Sequence, residues 1–399
     1  LPADGASLLV VAVSGRALAA SARRAGLVPL VADFFADADT RRIAHSCCKL
    51  DDLKGGFHWK ALAPALEALA ETAPSPLLGV VYGAGFEDRT ALLSKIAERW
   101  PLLGNDESVV ARVKAPEMFF AGLARLGIPH PRTVMDPPAQ AGGWLAKRQG
   151  GAGGSHVVTS HIVTNQAATR RMGTGGRAAG RIYFQEKVEG RPVSALFAGT
   201  GTSTRVLGFS EQWEAPTPGA RWRYGGAARP AELSRDLEAR LTESVERVAQ
   251  CFALRGLGSA DFLVNGDEAR LLEVNPRPGA TLDIFDSEAD PLLRIHLEAV
   301  LDNRLPTALR NLPAATASAI VYATEPITVS QTMIWPDWTA DQPGIGERID
   351  KDRPICTVWA RSRTKVEARR LVEERSSIIL AAWHRPRRRD VVDVMNEET

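Results

Sequence analysis

The first hundred residues alternate short apolar, β-branched runs with helical patterns. That alternation restricts this part of the chain to a parallel sheet with helices on its faces. Leu8–Val13 reads as a buried strand, Ser14-Gly15 as a turn and Ala17–Ala25 as a helix ended by Gly26. Val28–Ala32 is the next strand, closing on Asp33; Leu62–Ala70 is a helix and Leu78–Tyr82 another buried strand. The run at Leu8 faintly mimics a secretory leader, but it is short and is preceded by Asp4 rather than by basic residues. Gly15-Arg16 falls short of a dinucleotide fingerprint. Asp33 suits either a ribose contact or, as the stronger reading, a loop cap. Gly83-Ala84-Gly85-Phe86-Glu87 follows a strand, where glycines admit a ligand or a second loop close to the backbone, or simply make a tight turn.

The chain has 399 residues, 45% of them apolar and 24% charged, which predicts two or three globular domains. A net charge of +2 gives no global attraction to nucleic acid or anionic membrane. Four cysteines without a CxxC pair argue against a disulfide framework or a thiolate zinc site. No apolar run is long enough for a spanning helix. The expectation is a cytoplasmic protein.

Further along, Ala115–Leu126 reads as a helix, and Leu145–Lys147 as a strand entering a glycine-rich loop. Glycine stays dense up to Gly190, which suggests a small mobile subdomain. Glu232–Phe252 is a long amphipathic helix. Ser259–Val264 and Arg270–Val274 pair across a turn at Asn265-Gly266. After Pro313 the chain turns β-rich, with strands at Ala319–Ala323, Thr332–Ile334 and Ile355–Ala360, then a helix at Glu367–Arg375. The basic run Arg385–Arg389 reads as solvated surface.

The residues richest in chemistry are Glu273-Val274-Asn275-Pro276-Arg277. Side chains two apart on a strand share a face, so Glu273 and Asn275 point the same way, with Asp261 on the partner strand. Three oxygen donors there make a hard-cation site, which phosphate oxygens and water would complete. Arg277, two further on, offers a planar fork to a phosphate or carboxylate. A surface hairpin with incidental acids is the competing reading, weakened by the flanking apolar residues. Lys147 leads into Gly150-Gly151-Ala152-Gly153-Gly154-Ser155, a loop able to fold amides over phosphate oxygens. Lys114 adds a cation at what reads as the start of a helix. Tyr183–Gly190 is an apolar strand ending in a polar turn, suited to a purine at a hinge or, taken alone, no more than a strand and its turn.

Lys114, Gly127-Ile128-Pro129-His130-Pro131, Lys147, Gly153-Gly154, Gln185–Gly190, Asp261 and Glu273–Arg277 occur in an order that resembles the ATP-grasp superfamily of carboxylate–amine ligases, over roughly residues 5 to 310. The resemblance implies an α/β and α+β fold: a Rossmann-like domain over 1–110, a two-part nucleotide domain over 111–312 with its small mobile part near 142–190, and a β-rich domain over 313–399. It implies that Lys114 and Lys147 hold the α- and β-phosphates of ATP and that the glycine loop, including Gly153, Gly154 and Ser155, closes over the γ-phosphate. Glu186, Lys187 and Val188 would line adenine, with Glu189 standing in for a ribose-binding glutamate where this chain has Arg191-Pro192. Asp261, Glu273 and Asn275 would hold one or two magnesium ions, replaceable by manganese, and Arg277 would stabilise the acyl phosphate. Asp352–Val358, Thr364 and Glu367-Ala368 resemble the C-terminal region of biotin-carboxylase-type enzymes, without their Met-Lys-Met carrier signal.

The implied activity joins a small carboxylate to an amine at the expense of ATP, with no nucleic-acid or membrane partner and with a homodimer left open. The Gln185–Ser194 hinge is similar to tyramine–glutamate ligase-like enzymes, which implies glutamate ligation in biosynthesis of a one-carbon cofactor of the methanofuran, methylofuran or methanopterin type. Two alternatives stand beside it: a biotin-carboxylase-like enzyme that activates bicarbonate, and a non-catalytic nucleotide-binding regulator.

Overall fold

The computed structural model describes residues 5–140, 142–151, 153–154, 156–159, 181–310, 312–331 and 333–384. Ser155, the glycine-rich stretch 172–180 and the basic run 385–389 lie outside them.

The N-terminal alternation builds a four-stranded parallel sheet of β1 (Ser7–Val11), β2 (Val28–Asp33), β3 (Ser46–Lys49) and β4 (Leu77–Tyr82), in the order β3-β2-β1-β4. Strand period decides its two faces. Leu8 and Val10 pack with α1 (Arg16–Arg24), while Leu9 and Val11 pack with α3 (Trp59–Glu71). The edge strand β3, with Cys47 and Cys48, and the short α2 (Ala38–Ile43) had no sequence signal strong enough to place them. Asp33 is a loop clasp: its carboxylate accepts the amides of Gly15 (2.8 Å), Phe35 (3.2 Å) and Ala36 (2.6 Å), leaving none of its geometry for a ribose.

Helices α4 (Ala91–Ala97), α5 (Glu107–Lys114) and α6 (Pro116–Arg125) lead to a small antiparallel sheet. Its strands are β5 (Thr133–Val134), β6 (Trp144–Arg148), β7 (Val157–Thr159) and β8 (Ile182–Glu186), in the order β5-β8-β6-β7. The large sheet then forms from β9 (Arg191–Thr200), β10 (Thr204–Glu214), β11 (Tyr224–Arg229), β12 (Arg255–Asn265) and β13 (Glu268–Asn275), backed by α7 (Arg235–Cys251). The hairpin of β12 and β13 is longer than the sequence suggested, because Arg255–Gly258 also pair with β9.

Strand β11 pairs with β14 (Ala315–Tyr322), which pairs with β18 (Pro354–Ser362) and through it with β16 (Thr339–Ala340). One eight-stranded sheet therefore runs across position 312. A two-stranded ribbon, β15 (Ile327–Thr328) with β17 (Arg348–Ile349), and α10 (Lys365–His384) complete this end. Thr332 lies outside the described residues, and 333–334 are not a strand: Met333 packs on the C-terminal core while Ile334 is 87% exposed.

Polar groups join the pieces. Arg16 donates to both carboxylate oxygens of Asp283, in the short α8 (Leu282–Phe285), and to Asp341, while Asp39 accepts the amides of Asp341 and Gln342. In α9 (Leu292–Leu301), buried His296 accepts the Leu257 amide at Nδ1 (2.9 Å) and meets the Leu103 carbonyl at Nε2 (2.9 Å). Those partners require the neutral Nε2–H tautomer. Burial pushes the imidazole down to about 4 from its ordinary 6.5, opposed by the Leu103 bond. A base lowered on folding contributes stability that is present above pH 6.5 and is lost as pH falls towards 4. The His296→Gln variant should show a shallower loss of stability over that window, by about 3 kcal/mol in the difference from the parent chain. Urea unfolding at several pH values reads this directly; parallel curves for the two proteins would remove His296 as the cause.

Candidate functional site

The pairing of β12 with β13 sets the site. Asp261 lies directly opposite Glu273, and Ser259 opposite Asn275. Same-face spacing thus brings Asp261, Glu273 and Asn275 together, as the sequence implied. Ser194 of β9 donates to Asp261 (2.6 Å), and the Asn275 amide nitrogen faces the other Asp261 oxygen at 3.1 Å. Lys114 enters from the end of α5, not from a helix start; the next helix begins at Pro116. Its ammonium, buried at 9% exposure, donates to the Asn275 side-chain oxygen (2.8 Å) and lies 3.6 Å from Glu273. Among the described residues no three His, Cys, Asp or Glu side chains form a metal cage; two carboxylates and one amide oxygen converge instead. Hard oxygen donors of that kind fit a magnesium ion, provided Lys114 yields Asn275 and phosphate oxygens supply the rest.

Lys147 reaches the same space from the small sheet and donates to Gln185 (2.6 Å). Burial lowers its ammonium, with Glu273 opposing. Burial alone would raise Glu273, but Lys114, His156 and Lys147 outweigh it and hold the carboxyl low. Its side chain keeps 39% exposure, so the charge faces the cleft. Burial and the repelling Glu273 push Asp261 the other way. Phe120, Tyr183 and Leu272 line the apolar side of this cleft, and Arg148, Gly150 and His156 line it from the small sheet and the glycine-rich loop.

Residues 118–281 match the sequence profile of the ATP-grasp domain. This chain carries an ATP-grasp domain. The carbamoyl phosphate synthase large chain of Rubrobacter xylanophilus is 25% identical over 245 residues, covering 56% of this chain but 22% of that protein, so this chain spans about a fifth of that relative. N5-carboxyaminoimidazole synthetase from Staphylococcus aureus, solved with ADP, superposes with a TM-score of 0.67 at 15% identity, covering 93% of this chain and 97% of that one. Biotin carboxylase from Campylobacter jejuni matches with a TM-score of 0.69 at 16% identity and 95% coverage of each chain. At such identities these structures show the fold alone.

The glycine-rich loop is seated on two sides. Gly150 (φ +71°) lies against the backbone of Glu87 and Asp88, and Gly154 (φ +76°) against the Trp222 carbonyl. A side chain at either position would collide with backbone, which is why glycine stands there. The Gly153 carbonyl accepts the Tyr224 amide at 3.3 Å. The loop therefore has backbone anchors that its sequence did not announce. At the hinge, the amides of Glu186 and Lys187 donate to the carbonyls of Arg132 (2.8 Å) and Gly143 (2.7 Å). Glu186 and Glu189 are exposed, Val188 is half-buried, and Lys187 lies 3.4 Å from Glu189. Arg191, where a ribose-binding acid was missed, pairs with Glu211.

Arg277 is held by a partner the sequence left unassigned. Its Nε donates to the Glu87 carboxylate (2.7 Å), with both side chains buried, and the second Glu87 oxygen accepts the Gly85 amide (2.8 Å). Burial would raise Glu87, yet Arg277 and Lys114 hold it low. The glycine-flanked position of Glu87 after a parallel strand was the signal available for it. Removing one member of a buried pair strands the other's charge. Arg277→Ala should cost about 3–5 kcal/mol in urea unfolding, and Arg277→Ala with Glu87→Gln should cost less than the single change. An Arg277→Ala protein as stable as the parent would show that the pair carries no stability. For the loop, Gly154→Ala should speed hydrogen exchange of the Tyr224 amide, whose acceptor is Gly153; unchanged protection would show that the seat at Trp222 is not needed.

Proposed function

We propose that this chain is an ATP-dependent carboxylate–amine ligase. The observation that carries the reading is the convergence of Asp261, Glu273 and Asn275 from paired strands with Lys114 and Lys147, beneath a glycine loop. Low-lying Glu273 beside two ammonium groups is a charge pattern that accepts a polyphosphate with its counter-cation. A divalent cation held by Asp261, Glu273 and Asn275 would supply charge neutralisation for the phosphates. Lys114 and Lys147 would then turn from Asn275 and Gln185 to the α- and β-phosphates, and Glu186 to Glu189 would face the adenosine.

The chemistry balances simply. A substrate carboxylate oxygen attacks the γ-phosphorus and ADP departs, giving an acyl phosphate. An amine attacks the acyl carbon, phosphate leaves, and the new amide sheds one proton. The loop at Gly150–Gly154 keeps water from the acyl phosphate, and Arg277 faces the charge that develops on it. The finer assignment is glutamate ligation in one-carbon cofactor biosynthesis, supported by the Gln185–Ser194 hinge pattern. A second reading, bicarbonate activation, is favoured by the full-length likeness to N5-carboxyaminoimidazole synthetase and biotin carboxylase.

ADP release tests these. The ligase releases ADP only with an acid and an amine together, and glutamate should be an effective partner. The carboxylase responds to bicarbonate, and a nucleotide-binding regulator releases none under either condition. Glu273→Ala should lower turnover by about 10² or more while the hairpin stays folded, because Leu271 and Val274 keep their pairing and burial. Near-normal turnover of that variant at saturating magnesium would remove Glu273 from the site.

A further inference from the structure

A second cavity, of about 340 Å³, shares no lining residue with the cleft at Glu273. It lies between α1 and α2 on one side and α8, β16 and β18 on the other. Its acids are largely engaged. Asp283 holds Arg16, Asp286 holds Arg24 and the Ser21 hydroxyl, and Asp39 accepts two backbone amides. Asp337, exposed at the rim, is the exception among the described residues.

Two of its cations are not neutralised. Arg42 donates to the uncharged Gln342 amide oxygen (2.8 Å), and Arg361 lies over the Trp359 ring, 5.2 Å from its centre. Among the described residues neither meets a carboxylate. A third guanidinium stands behind Arg361. Strand pairing aligns Arg229, Thr316 and Arg361 in one row across β11, β14 and β18. Arg229 is buried at 5% exposure, and its partners, the Ile284 carbonyl and the Thr316 hydroxyl, are both neutral. Burial and the neighbouring Arg361 push it down to about 10. A buried cation without counter-charge is costly, and an anion held at exposed Arg361 would supply the counter-charge that Arg229 behind it lacks. Ile43, Leu282 and Ala17 supply apolar surface next to those charges.

We propose that this cavity binds a small organic anion, its phosphate or carboxylate group held by Arg42 and Arg361 and its apolar body set against Ile43 and Leu282. Guanidinium forks match both oxyanions, so the shared chemistry is an anion on an apolar frame. The site stands independently of the ligase reading, because none of its residues belongs to the nucleotide cleft.

Calorimetric titration of the full chain with phenyl phosphate, benzoate and inorganic phosphate tests it. Saturable binding of at least one probe is expected, about tenfold or more weaker in the double variant Arg42→Gln/Arg361→Gln. Both arginines are exposed, so the melting temperature of that variant should hold. Tighter binding of phenyl phosphate assigns the phosphate group, and tighter binding of benzoate the carboxylate. Lys147→Ala should leave the binding intact. No saturable heat with any probe, undiminished binding in the double variant, or binding lost in Lys147→Ala would overturn the proposal.

Discussion

The buried pair of Glu87 and Arg277 joins three segments that are distant in sequence. Glu87 ends the loop after β4 of the parallel sheet, Arg277 follows β13, and Gly150 of the glycine loop lies on the Glu87 backbone. Each partner is nearly excluded from water, so neither tolerates loss of the other. The pair fixes where the N-terminal unit sits relative to the hairpin that carries Asp261 and Glu273. It also sets the surface on which the loop comes to rest. The N-terminal sheet, the small sheet and the large sheet thus meet at this ion pair, beside the ties that Arg16 and His296 make elsewhere.

Lys114 acts similarly on a smaller scale. In the absence of phosphates, two carboxylates facing across a ladder would repel; the ammonium among them offsets that repulsion. On the proposed reading, a nucleotide arriving with its cation would exchange one set of positive charges for another beside Glu273. That is a physical reason for the amide at Asn275, which can bond an ammonium hydrogen or a metal ion without adding a third negative charge.

Much of this was legible in the sequence, because it depends on periods. Apolar strand runs alternating with helical patterns gave the parallel sheet, and the two-residue spacing of Glu273 and Asn275 gave the site its floor. Glycine positions marked the loop, although not its seats on Glu87 and Trp222, since a close approach between distant backbones leaves no local trace. Lys114 was legible as a cation and misplaced by one helix, because Ala115-Pro116 breaks a run whose helical pattern continues on both sides. Glu87 was visible as an acid after a glycine turn, but its partner lies 190 residues away, and only the fold brings the two together. The strand expected there is absent at 333–334 because apolar character alone does not make a strand without a neighbour to pair with.

The large sheet adds a constraint on how the C-terminal region can act. Strands β14 and β18 hydrogen-bond directly into the sheet that holds β12 and β13, through β11, β10 and β9. Covering domains that merely pack on a nucleotide site can tilt as rigid bodies; a domain that continues the sheet cannot do so without breaking ladder bonds. Arg16 adds a second tie, from α1 to Asp283 in α8 and Asp341 beside β16, and Lys365 of α10 a third, to Glu211 of β10. Among the described residues the small sheet β5-β8-β6-β7, which carries Lys147, shares no ladder with the large one and so lacks this restraint. A displacement of that sheet would carry Lys147 and would have to lift the glycine loop from its seats on Glu87 and Trp222, while Asp261, Glu273 and Asn275 stay on the large sheet.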